Sequence, residues 1–177
     1  SFAIILSGIR LFSCESEDAL EPDYKNPSDY FQPAADDNSE EAQLRRKFFA
    51  DYGSYLLFND TLQNVYLGKD INGDPRYFVE TVDLTYTVGQ TGYGTSLSSY
   101  TFTYIPNFEQ KLAMTEYLET YILPHFSDAM RPYSWLLTKT IIGKMDKDDS
   151  AQTFSPYAVV NQRCVAVACN YLTQRER

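Results

Sequence analysis

The spacing of apolar positions along the chain predicts two helices, each with its own start and stop signals. Asn38 followed by Glu41 resembles a capping box, and the apolar spacing that follows is helical as far as Gly53. Asn107 is the expected cap of a second helix, which Pro124 would end. We therefore expect the folded part of the chain to begin at the first of these helices.

Apolar runs and alternating patterns predict strands around the second helix. Residues 54–59 form a short apolar run, which is typical of a buried strand. Residues 76–88 alternate and predict a long, half-buried strand, and residues 100–105 are expected to pair with it antiparallel across a loop rich in Gly and Ser. Residues 158–160 and 164–168 indicate a short hairpin.

Three further stretches complete the predicted domain. Residues 134–142 are apolar and fit either a helix or a strand, residues 144–150 are charged and predict a loop, and residues 172–177 predict the start of a polar helix. Together the elements define a single α+β domain at residues 39–177, in which antiparallel strands pack with a few helices.

Charge separates this domain from the segment before it. The chain has 24 acidic and 15 basic residues, a formal net charge of −9, and Lys25 is the only base between Cys14 and Glu41. Because the same segment contains several prolines and few apolar residues, we expect residues 14–38 to form a disordered acidic tether. The excess of acidic charge argues against nucleic-acid binding, which depends on Lys and Arg.

The first residues are apolar, but they are too few to cross a bilayer as a helix, which takes about 20 residues. Residues 1–13 resemble the remainder of a secretory signal peptide. The sequence Leu-Phe-Ser before Cys14 resembles a bacterial lipobox, in which the Cys thiol is acylated and the Cys becomes the mature N-terminus. We expect Cys14 to carry a lipid anchor; the alternative is an ordinary N-terminal helix with an incidental Cys.

Asp70, Asn72 and Asp74 have the spacing of the first ligands of a calcium-binding loop. The pattern then fails, because Pro75 stands where that loop needs a Gly and Thr81 stands where it needs a bidentate Glu. An Asn-Gly hairpin turn is therefore the preferred interpretation.

The sequence gives no grouping of catalytic or metal-ligating residues. His125 is the only His, so neither an H-E-x-x-H zinc motif nor a catalytic triad can be assigned, and a structural or surface role is expected for it. Cys164 and Cys169 are five residues apart and would face opposite sides of a regular strand. We therefore expect two buried free thiols and no disulfide.

Aromatic residues are abundant, with 15 Tyr, 11 Phe and 1 Trp. Some of them could provide stacking surfaces for a ligand such as a sugar, although packing in the core is expected for most. The candidates for a binding surface are Tyr93, Tyr100, Tyr104, Tyr117, Tyr121, Tyr133 and Trp135.

In its layout over residues 14–172, the chain resembles the N-terminal portion of the Bacteroidota lipoproteins called substrate import-associated zinc metallohydrolases. The shared order is lipobox, acidic tether, first helix, buried strand, second helix and the strands near 158–168. The Glu-Ser-Glu-Asp segment after Cys14 also resembles the surface-export signal of Bacteroidota lipoproteins. The resemblance implies a lipid-anchored protein on the outer-membrane surface, with an import complex as a partner and with zinc as the cofactor of a full-length relative.

Two interpretations of function remain open. In the first, the sequence is a fragment truncated at both ends, and the protein is an accessory component of outer-membrane nutrient import whose catalytic H-E-x-x-H segment follows Arg177. In the second, the sequence is a complete non-enzymatic lipoprotein that binds a glycan or a partner protein. The DNA downstream of Arg177 would discriminate between them, and no metal ligand or cofactor is assigned to the 177 residues themselves.

Overall fold

The computed structural model describes residues 30–84, 96–147 and 150–171, which form a mixed α+β fold as predicted. The signal-like residues 1–13, Cys14, most of the predicted tether, Tyr93 and residues 172–177 lie outside these ranges. The α-helices are α1 (Glu40–Tyr52) and α2 (Phe108–Tyr117), and α2 continues as a π-helix (Leu118–Ile122). The strands are β1 (Tyr55–Leu57), β2 (Thr61–Lys69), β3 (Pro75–Thr81), β4 (Ser96–Thr103), β5 (Ser134–Thr138), β6 (Thr140–Lys147), β7 (Ser150–Phe154), β8 (Ala158–Val160) and β9 (Val165–Ala168).

Both predicted helices are present, and side chains cap both of their N-termini. Ser39 caps α1, since its Oγ accepts a hydrogen bond from the Ala42 amide at 3.2 Å; the cap is therefore one residue later than the predicted Asn38. At the other end of α1, Gly53 adopts a left-handed conformation with φ of 67°. Asn107 caps α2 as predicted, accepting from the Gln110 amide at 2.9 Å.

A four-stranded sheet in the order β1-β5-β9-β8 forms the centre of the molecule. Strands β1, β5 and β9 are mutually parallel, and β8 pairs antiparallel with β9 to form the hairpin predicted at 158–168. The central sheet is thus mixed, where antiparallel strands were predicted. Both of its faces are covered, which explains why β5 is a continuous buried run rather than an alternating one.

Two hydrophobic cores lie on opposite faces of the central sheet. The first contains Tyr55, Leu136 and Ala166, and the second contains Leu56, Trp135 and Leu137 together with residues from the helices. The members of the two cores alternate along β1 and β5, as the period of two in a strand requires.

Phe31, which the sequence places in the tether, is 1% exposed and belongs to the first core. Its ring packs against Tyr55 and Tyr133, with centroids 5.4 and 5.1 Å away. Arg45 of α1 donates to the Phe31 carbonyl at 2.9 Å and to the Leu56 carbonyl at 2.8 Å, so it ties this segment to β1. Packing with the core therefore begins N-terminal to the predicted boundary at residue 38.

Strand β4 corresponds to the predicted strand at 100–105, but its partner is not the predicted one. It pairs antiparallel with β6, and β6 pairs with β7. The ambiguous stretch 134–142 is strand in β5 and in the start of β6. Because β6 continues to Lys147, most of the loop predicted at 144–150 is strand as well.

Strands β2 and β3 form a separate antiparallel hairpin around the predicted Asn-Gly turn. Asp70 Oδ1 accepts from the amides of Asn72 and Asp74 at 2.8 and 2.9 Å, and Gly73 supplies the required positive φ of 90°. The half-buried strand predicted at 76–88 is shorter in the structure, since β3 ends at Thr81, and residues 85–88 lie outside the described residues.

Candidate functional site

A cavity of about 240 Å³ opens where the base of the β2–β3 hairpin meets β4. Two acidic residues, Asp60 and Asp83, line it together with Ser99, Tyr100 and Phe102. Acidic side chains beside aromatic ones can bind a ligand through both hydrogen bonds and packing against a ring.

The fold brings these groups together through the backbone at the base of the hairpin. Asp60 lies between β1 and β2, and its carbonyl accepts a hydrogen bond from the Val82 amide, just after β3, at 2.7 Å. Val82 and Leu84 are buried in the first core, which fixes the segment that carries Asp83. This side of the cavity is therefore anchored to the first core.

The Asp60 carboxylate is held in place by Tyr104, whose hydroxyl donates to Asp60 Oδ1 at 2.5 Å. Burial, and secondly this hydrogen bond, raise the pKa of Tyr104 to about 12, so the phenol remains a donor at neutral pH. The second carboxylate oxygen and the remaining lone pairs can still accept hydrogen bonds from a ligand.

A second cavity of about 180 Å³ lies on the other side of residues 81–83. Asn161, Gln162 and Arg163 from the turn between β8 and β9 line it. The Asn161 side chain donates to the Asp83 carbonyl at 3.0 Å, and the Arg163 guanidinium lies 5.1 Å from the centroid of the Phe31 ring. The two cavities share a wall, and between them they offer hydrogen-bond donors as well as acceptors.

Of the aromatic residues singled out in the sequence that the structure describes, Tyr100 and Tyr104 are the two at this site. Trp135 is 1% exposed in the second core, where it packs edge-on against Phe126. Tyr133 packs on Phe31 and Tyr55. The rings of Tyr117 and Tyr121 contact each other in a tilted arrangement, with centroids 4.9 Å apart.

His125 is exposed in a short turn after the second helix, and the nearby Asp128 pairs with Arg131 at 2.8 Å. Among the residues that the structure describes, no three His, Cys, Asp or Glu side chains are close enough to hold a metal ion. Cys164 and Cys169 are free and buried, as predicted.

The β2–β3 hairpin is a second candidate site, because it exposes large apolar side chains on both faces. Six of them are between 46% and 56% exposed: Val65, Tyr66, Leu67, Tyr77, Phe78 and Val79. Exposed apolar groups at this density are typical of an interaction surface. We refer to these six residues as the hairpin surface.

The alternation along residues 76–88 predicted one buried face for the strand, and it therefore missed the hairpin surface. The sequence pattern also did not single out Asp60 and Asp83, because they are distant in sequence and belong to no recognisable motif. Turn-forming residues next to strand ends were the only available signal for them.

Neither a scan against protein-family models nor searches of curated proteins and solved structures give a match for this chain. Within the described ranges, no helix combines the length and the apolar character needed to span a bilayer.

Proposed function

We propose that the protein is a non-enzymatic binding lipoprotein of the cell surface, and that it binds a sugar unit of a glycan in the cavity between Asp60 and Tyr100. The observation that carries this proposal is the Asp60 carboxylate, which Tyr104 holds at 2.5 Å beside an aromatic wall. The C–H faces of sugars pack on aromatic rings, and their hydroxyls donate hydrogen bonds to carboxylates.

The size of the cavity supports a small ligand. At about 240 Å³ it is below the range of roughly 300–1,000 Å³ that is usual for drug-sized molecules. One sugar ring, or the end of a longer glycan, fits this scale. The adjoining cavity at Asn161 and Arg163 would then contact the next part of the ligand.

The lipobox-like sequence at Cys14 and the resemblance to import-associated lipoproteins support an accessory role in outer-membrane nutrient import. In this role the protein captures a glycan at the cell surface, and a membrane transporter takes it up. The proposal assigns no reaction to the residues of this chain.

Binding of neutral monosaccharides and oligosaccharides, measured by calorimetry on the purified protein, tests the proposal. Asp60→Asn should weaken binding about tenfold or more, because a hydrogen bond to a charged group contributes about 1.5–3 kcal/mol. Tyr104→Phe should weaken it less, since the carboxylate remains but is no longer held in position.

Tyr121→Phe is the matched control, because Tyr121 is 61% exposed and contacts Tyr117 rather than the cavity. This variant should bind as the unmodified protein does. If no sugar binds, or if Asp60→Asn and Tyr121→Phe bind equally well, the site is not a glycan site.

The hairpin surface favours a second function, the binding of a protein partner. This function does not depend on the cavity.

A further inference from the structure

The two strands of the hairpin differ in how readily another strand can pair with them. In the register of the pair, β2 contains two extra residues, Leu62 and Leu67, whereas β3 runs without interruption from Pro75 to Thr81. Bulges of this kind disturb an edge and hinder further pairing, but a regular edge is a template for it. Within the described part of the chain, β3 has β2 as its only strand neighbour, and no described strand occupies its other edge.

The sequence of β3 complements itself when it is reversed. From Arg76 to Glu80 it reads Arg-Tyr-Phe-Val-Glu, with opposite charges at the two ends and apolar residues between them. In an antiparallel pair of two such strands centred on Phe78, Arg76 of each copy lies opposite Glu80 of the other. Tyr77 then lies opposite Val79, which is a favourable pairing of an aromatic and a β-branched residue.

We propose that a second copy of this chain is the partner of the hairpin, and that β3 pairs antiparallel with β3 of the second copy about a twofold axis at Phe78. The result is a continuous four-stranded sheet in the order β2-β3-β3-β2. A twofold axis uses the same surface on both copies, so a surface that complements itself is the property this symmetry requires.

The charges select both this register and this direction. Parallel pairing in register would place Arg76 against Arg76 and Glu80 against Glu80. An antiparallel pair shifted by two residues would leave Arg76 opposite Phe78 or Val82, without a carboxylate. Arg76 has no ion-pair partner among the described residues, whereas Glu80 Oε2 accepts from Gln63 at 2.8 Å and keeps capacity for a further bond.

Pairing also covers apolar groups that the monomer leaves in water. Val65 is the register partner of Phe78, and Tyr66 is the register partner of Tyr77, with ring centroids 5.5 Å apart. In the four-stranded sheet, the two Phe78 rings would be neighbours on one face, flanked by Val65 of each copy. Two strands alone bury less than the roughly 800 Å² per partner of a standard interface, so the dimer should dissociate on dilution.

Charge reversal with sedimentation velocity analysis tests the proposal on the full chain. The unmodified protein should show a dimer that grows with concentration. Arg76→Glu and Glu80→Arg should each be monomeric, because each places like charges opposite each other at both ends of the pair. An equimolar mixture of the two variants should dimerise again, since every charged position then faces its opposite.

Lys69→Glu is the matched control, because it reverses a charge on β2 outside the paired segment, and it should dimerise normally. A second measurement does not depend on charge: in Phe78→Cys the twofold axis places the two thiols opposite each other, at a Cα separation that suits a disulfide. This variant should form a covalent dimer on mild oxidation, whereas Ile71→Cys at the fully exposed hairpin tip should not.

Three outcomes would overturn the proposal. They are a wild-type chain that is monomeric at all concentrations, a dimer that persists in both charge-reversal variants, and a mixture of these variants that remains monomeric. None of these outcomes bears on sugar binding at Asp60, so this proposal and the proposed function can fail independently.

Discussion

Cys164 and Cys169 show how far one residue's environment follows from its position in a strand. Cys164 precedes β9 and lies in the first core, while Cys169 follows β9 and lies in the second. The period of two along a strand predicts this separation from the sequence alone. Phe31 could not be predicted in the same way, because its neighbours are acidic residues and prolines, and only the tertiary contact with Tyr55 reveals its burial.

The two buried thiols make stability depend on pH in the alkaline range. Burial raises the pKa of Cys164 to about 11 and that of Cys169 to about 12, from 9.0. Above pH 9 the unfolded chain therefore loses protons that the folded chain keeps, and the folded state should lose stability as the pH rises towards 11. Urea unfolding at pH 7 and pH 10.5 measures this loss.

The Cys164→Ala variant provides the comparison for this prediction. It should be less stable than the unmodified protein at pH 7, because it leaves a small cavity. The difference should narrow at pH 10.5, because the variant has one thiol fewer to ionise in the unfolded state. An unchanged difference between the two pH values would show that Cys164 does not contribute to the pH dependence.

At the scale of elements, the strands themselves were easier to predict than their partners. Residues 100–105 form part of β4 as expected, but sequence proximity suggested pairing with residues 76–88, whereas β4 pairs with β6 across the whole of α2. The parallel pairing of β1, β5 and β9 likewise joins segments that are distant in sequence. Local patterns specify which residues face a core, but not which strand lies beside them.

Gly143 of β6 leaves room for the ring of Phe154 on the neighbouring strand β7. It lies opposite Phe154, and a Cβ at this position would be 2.3 Å from the Phe154 ring. Gly143→Ala should lower the free energy of unfolding by about 1–3 kcal/mol, the usual cost of overpacking. Urea unfolding measures the change.

The double variant Gly143→Ala with Phe154→Ala separates this clash from a general intolerance of the site. If the ring is the obstacle, Gly143→Ala should cost much less when Phe154 is already Ala. Thr153→Ala, an exposed position on β7, is the control and should have little effect. If Gly143→Ala lowers the free energy of unfolding equally with Phe154 and with Ala at that position, the clash with the ring is not the cause.

At the scale of the whole molecule, the sequence predicted the α+β class, both helices and the buried thiols, but only part of the candidate site. Tyr100 and Tyr104 were among the predicted aromatic candidates. Asp60 and Asp83 were not, because they become neighbours only through the hydrogen bond from the Val82 amide to the Asp60 carbonyl. A site assembled by one long-range contact leaves no pattern of spacing for sequence analysis to detect.

The lipid anchor is the prediction that concerns the molecule as a whole. Cys14→Ser removes the thiol that would accept the acyl chains, so the protein should move from the membrane fraction to the soluble fraction and lose incorporation of labelled fatty acid. Two or three chains make a durable anchor, and the change should therefore be large. The thermal unfolding midpoint should stay the same, because both described cores consist of residues from Phe31 onward.

Cys169→Ala is the matched control for the anchor, since it removes a thiol that is 4% exposed and inaccessible to an acyltransferase in the folded protein. This variant should keep both the label and the membrane association, even if its unfolding midpoint falls. If Cys14→Ser still incorporates the labelled fatty acid, Cys14 is not the acylated residue. If Cys169→Ala loses the label, the lipid is attached to Cys169 instead.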